Sequence, residues 1–121
     1  MQYMTLIYSD EERWESLPTD EREGISERYL ALAREMRERG VLAGGERLSG
    51  TRDATTVRVR DAETLVVDGP YAEVKEALGG FFLLECGSEE EALDWAARIP
   101  AAEYGAVELR PLHASPEEEQ L

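Results

Sequence analysis

The sequence predicts an α+β domain, and three observations carry that expectation. Short β-rich runs alternate with two amphipathic stretches of helical period. Two of those runs are apolar on both sides, as central strands of a sheet are. A third feature, an alternating pair of runs joined by Asp61-Ala62-Glu63, reads as a hairpin inserted between them.

The first element, residues 3–8, places Met4, Leu6 and Tyr8 on one side and Tyr3, Thr5 and Ile7 on the other, and both sides are expected to be buried. A helix follows over residues 19–39. Thr19 is its expected N-cap, Asp20 and Glu21 suit the positive end, and Gly40 closes it. Ile25, Tyr29, Leu32 and Met36 form the inward stripe, opposite a face of Glu and Arg. Trp14, in the acidic stretch before this helix, either covers the core or lines a cleft.

Residues 41–48 read as a strand in which Gly44-Gly45 marks a bulge or a close backbone approach. Residues 55–60 and 64–67 are the hairpin. Residues 80–86 contain Phe81-Phe82-Leu83-Leu84, apolar at adjacent positions, and belong in the middle of the sheet. The second helix has Ser88 and Glu91 at capping-box spacing, an inward face of Ala92, Trp95, Ala96 and Ile99, and a stop at Pro100. A last strand covers residues 106–110. Strand, helix, strand, hairpin, strand, helix, strand is the order of a ferredoxin-like split β-α-β unit with an inserted hairpin, an antiparallel sheet with two helices on one face.

Two helices shield one side of such a sheet only. The strands at 3–8 and 80–86 carry apolar groups on both, so a homodimer is expected, with a second copy covering the open face.

At 121 residues, 42% hydrophobic and 33% charged, the chain has the size and composition of one soluble globular domain. That domain is expected over residues 1–113, with an acidic, disordered tail at 114–121 that includes Glu117-Glu118-Glu119. A net charge of −14 argues against nucleic acid and against an anionic membrane surface. No apolar run approaches the roughly 20 residues that span a bilayer, and no basic-then-apolar leader opens the sequence, so a cytoplasmic location is expected. The single cysteine, Cys86, has no internal disulfide partner and reads as a small buried residue. With His113 the sole histidine, a His-rich metal site is excluded, and no metal is expected. Walker loops, dinucleotide glycine fingerprints and nucleophile elbows are absent, and no cofactor is expected.

One stretch fits neither a helix nor a strand face: residues 68–76, Asp-Gly-Pro-Tyr-Ala-Glu-Val-Lys-Glu. Gly69 and Pro70 turn the chain sharply after Leu65-Val66-Val67, leaving Asp68 at a strand end and Glu73, Lys75 and Glu76 in the connection. A carboxylate at a strand end beside a dry pocket can take or give a proton, so Asp68 is the candidate catalytic residue. An aspartate before Gly-Pro also accepts hydrogen bonds within its own turn. Lys75 either holds an anionic group of a ligand or pairs with Glu73 or Glu76. Tyr8 and Arg58 reach the same cavity or serve as packing and surface groups, and Gly69, Pro70, Tyr71 and Glu73 complete the candidate ligand-binding set.

This segment resembles the YCII-related family, in the branch named for a D-G-P-F motif followed in many members by A-E-T-K-E; here Tyr71 stands for the Phe and Val74 for the Thr. The resemblance extends through the opening 3–8, Gly44-Gly45-Glu46, residues 55–58, 79–85, 96–100 and 107–111. It implies a ferredoxin-like fold assembled as a dimeric α+β barrel, with a ligand cavity between the facing sheets and the helices. Some relatives pair a histidine with an aspartate earlier in the chain, but no histidine precedes Asp68 here. Two functions follow from the resemblance. One is a small cofactor-independent lyase or isomerase acting on a small metabolite, with Asp68 as acid or base and Lys75 or Arg58 stabilising negative charge. The other is a noncatalytic ligand-binding or regulatory protein whose partner is an extracytoplasmic-function sigma factor, to which a strongly acidic surface is suited.

Overall fold

The computed structural model describes residues 1–113, so the acidic tail expected at 114–121 lies outside the described residues. β1 (Gln2–Asp10), β2 (Leu42–Arg47), β5 (Glu76–Glu85) and β6 (Ala106–Pro111) form one antiparallel sheet in the order β2-β5-β1-β6. With α2 (Thr19–Glu38) and α3 (Glu89–Ala97) as the crossovers, this is the ferredoxin-like topology. Among the described residues β3 (Thr55–Arg60) and β4 (Glu63–Asp68) pair only with each other, as the inserted hairpin.

The register settles which residues share a face. Tyr3, Thr5 and Ile7 of β1 lie opposite Leu84, Phe82 and Gly80 of β5 and turn toward the helices. There they meet Leu32 and Met36 of α2 and Ala92, Trp95 and Ile99 around α3 in one core. Thr5 is fully buried, and its hydroxyl is satisfied by donating to the Phe82 carbonyl (3.0 Å) and accepting from the Phe82 N–H (3.2 Å). On the other face Met4 pairs with Leu83, and Leu6 with Phe81, and these four stay half-buried. The expectation that both sides of this strand are buried therefore holds for the helix side alone within one chain.

Gly44-Gly45 fulfils both readings given to it. The β2–β5 register shifts between Leu42 and Gly44, and a Cβ on Gly45 would come within 2.8 Å of the Phe82 ring and 2.9 Å of the Phe81 carbonyl oxygen. A second shift, between Ile7 and Tyr8, leaves Gly79 unpaired in the β1–β5 ladder, and its carbonyl accepts from the Leu48 N–H (2.9 Å). Gly40 ends the long helix with φ +71, in the left-handed region.

Three local expectations need correction, and one short helix is added to them. Thr19 does not cap α2: Pro18 holds that position without a side-chain bond, and Thr19 is the first helical residue. Trp14 lies in a short helix of its own, α1 (Glu11–Ser16), capped by the Asp10 carboxylate at the end of β1, which accepts from the Glu12 and Arg13 N–H groups (3.0 and 3.4 Å). β5 begins at Glu76, so the connection after the hairpin shortens to residues 69–75. In the capping box of α3, Ser88 accepts from the Glu91 N–H (3.1 Å) as expected, but the Glu91 carboxylate takes the Gly87 N–H (3.0 Å).

Among the described residues no helix is long and apolar enough to cross a membrane.

Candidate functional site

The hairpin and the connection after it stand out from the body. Val57, Val59, Leu65, Val66 and Val67 are all large aliphatic side chains left exposed, and every residue of β4 is exposed. Pairing of Thr55 with Asp68, Val57 with Val66 and Val59 with Thr64 puts these six on one face of the ribbon. Thr56, Arg58, Arg60, Glu63, Leu65 and Val67 occupy the other.

Asp68 ends β4 on the valine face. The turn that follows is closed without its carboxylate. Gly69, at φ +108, a region that favours glycine, donates its N–H to the Ala54 carbonyl (2.8 Å), and its own carbonyl accepts from the Thr56 hydroxyl (2.8 Å). Among the described residues nothing donates a hydrogen bond to the Asp68 side chain, so the turn-shaping work weighed for it falls to Thr56 and Ala54. Sequence reasoning missed both. The hairpin register supplies the signal, since it sets Thr56 beside the start of the turn.

Tyr71 is 79% exposed, and the Arg58 guanidinium stands 5.6 Å from its ring centroid, a cation–π contact that brings β3 to the connection. Pro70 is half-buried, whereas Glu73 and Lys75 are exposed and form no ion pair with each other or with Glu76 among the described residues. Tyr8 occupies the open face of the sheet, opposite Leu78 on β5 and Ala106 on β6. The connection runs into Glu76, which pairs with Asp10 two residues beyond Tyr8, so Lys75 and Tyr8 approach the same end of the sheet.

Two surface hollows among the described residues lie away from this set. One surface hollow is lined by Arg39, Val41, Asp94, Trp95 and Arg98, with Arg98 4.9 Å over the Trp95 ring. A second is lined by Trp14, Thr19, Arg22, Ser26 and Leu30. Neither includes Tyr8, Arg58, Asp68 or any residue of the 69–75 connection.

Elsewhere, titratable groups have structural causes. Burial pushes the Tyr29 phenol well above its usual range, with Tyr104 adding to the effect, and Arg13 lies 4.3 Å over the Tyr104 ring. Cys86 is buried, and desolvation raises its thiol, with Glu91 contributing, which disfavours the thiolate a nucleophile needs. Among the described residues no three His, Cys, Asp or Glu side chains are grouped as metal ligands would be.

An antiparallel ferredoxin-like sheet carrying an exposed hairpin and a strand-end carboxylate defines the class of protein. The YCII-related domain model matches residues 1–114, and the chain belongs to that family. It is also similar to an uncharacterised protein of Rhizobium meliloti, 40% identical over 114 residues that cover 93% of this chain and 92% of the relative.

Proposed function

We propose that this protein is a homodimeric, cofactor-independent enzyme of the lyase or isomerase type, acting on a small metabolite bound where two open sheet faces meet. The observation that carries this reading is the pairing of a half-buried apolar face (Met4, Leu6, Tyr8, Phe81, Leu83) with a strand-end carboxylate that no neighbour engages among the described residues. Apolar surface of this kind gains by removal from water, at about 25 cal/mol per Å². A second copy provides the cover with the symmetry most soluble oligomers use. Asp68 then transfers the proton. Arg58, held at the connection by Tyr71, or Lys75 balances negative charge that develops on the substrate.

Asp68→Asn tests the assignment, using a turnover found by screening metabolites against the purified wild type. Positioned acid–base groups contribute about 10²- to 10⁴-fold, so kcat is expected to fall by about that factor. The circular dichroism spectrum and oligomeric state stay unchanged, because the carboxylate carries no hydrogen bond of the turn. Retained turnover in the variant removes Asp68 from the mechanism. A loss of folding with the substitution would return it to the turn.

A further inference from the structure

We infer that the β3–β4 hairpin is a docking arm, and that its valine face packs against the rim of the open sheet face of a second copy, beside the contact between the two sheets, so that each site takes Asp68 from one protomer and sheet residues from the other. The inference rests on the dimer proposed above and adds to it which segment crosses over.

An isolated two-stranded ribbon is marginal in water. Among the described residues this one pairs with no further strand, and its two faces expose five large aliphatic side chains. The valine face consists of Thr55, Val57, Val59, Thr64, Val66 and Asp68, β-branched except for the aspartate at its base. Such a face fits a pleated, half-buried surface, and the open face of the sheet is one.

Area favours the same arrangement. A stable dimer buries about 800 Å² on each partner, about a tenth of the 8617 Å² surface of this chain. The apolar residues of the open sheet face are already half covered by their own neighbours and supply part of that area. The docking face of the hairpin adds Val57, Val59 and Val66, which are 59–63% exposed.

Reciprocity selects the occupant: among the described residues the chain carries both an apolar arm with no further strand beside it and a half-buried sheet face, so in a two-fold pair each copy covers the other's. Docked this way, Asp68 comes to the rim of the apolar face that carries the partner's Tyr8, and the composite site explains why one chain leaves its candidate residues spread over its surface.

The test is sedimentation equilibrium of wild type, the double variant Val57→Asp/Val66→Asp, and the milder Val57→Thr/Val66→Thr, which keeps β-branching. The dimer dissociation constant is expected to rise about 100-fold or more for the aspartates, and by less for the threonines, with far-ultraviolet circular dichroism unchanged. Two opposed exposed valines form the target, so the protomer core is untouched. If both variants dimerise as wild type does while a charge on the sheet face separates the protomers, the arm inference is overturned and the dimer stands. A wild type that stays a monomer overturns both.

Discussion

Gly105→Ala is expected to cost about 3 kcal/mol or more and to lower the melting temperature by about 10 °C or more in thermal unfolding. Gly105 lies where the 3₁₀ turn Pro100–Glu103 feeds into β6, with its N–H donated to the Ala101 carbonyl (2.7 Å). A Cβ there would collide with the Tyr8 carbonyl oxygen and stand 3.2 Å from Ser9 Cα and 3.3 Å from the Ala101 carbonyl oxygen. All three are backbone atoms, so no side chain can rotate out of the way. Relief requires β6 to move from β1, and with it Val107 and Leu109, which pack against the core. Gly24→Ala is the matched control: in the middle of α2, a Cβ on Gly24 meets nothing within 4 Å. The same added methyl should there stabilise by about 0.5–1 kcal/mol, because a helix interior favours alanine over glycine. A similar loss at both positions would show that the approach of β6 to β1 is looser than described.

Phe81→Glu is expected to separate the protomers, raising the dimer dissociation constant by about 100-fold or more with the fold retained. Phe81 lies in the centre of the open face, opposite Leu6 on one side and Glu46 on the other. It is half-buried in a single chain, so a glutamate there can stay hydrated as long as the protomer is alone. Bringing two copies together through this face would take that charge out of water with no partner to pair it, at a cost of several kcal/mol. Light scattering or sedimentation reads the change directly. An unaltered dissociation constant would mean that the open face is not the surface that pairs.

Much of the fold was legible because its signals are local. The inward face of α3 (Ala92, Trp95, Ala96) and Ile99 just beyond it are read from spacing and found buried; the Ser88 cap is read from its offset to Glu91. Adjacent apolar residues in β5 place that strand between β2 and β1 without any knowledge of its partners. What escaped depends on partners far along the chain. α1 starts because Asp10 leaves β1 in a geometry that lets its carboxylate cap Glu12 and Arg13, and an acidic run gives no hint of that. Residues 76–78 looked like connection because they follow a Gly-Pro turn, yet they pair with Tyr8, Ser9 and Asp10 once the Gly79 bulge restores the register. For the candidate site, the Asp-Gly-Pro turn and the strand-end position of Asp68 could be read directly. The Thr56 hydroxyl bond and the Arg58–Tyr71 contact could not, since both require the hairpin to be in register before they form. Alternating valines in β3 and β4 announce a strand but say nothing of what covers it.

Sedimentation equilibrium of the wild-type protein, across concentrations from submicromolar to tens of micromolar, tests the pairing of open sheet faces most directly. The account predicts a species of twice the 13.6 kDa chain mass that dissociates only on dilution. A well-folded 13.6 kDa particle at every concentration would contradict it.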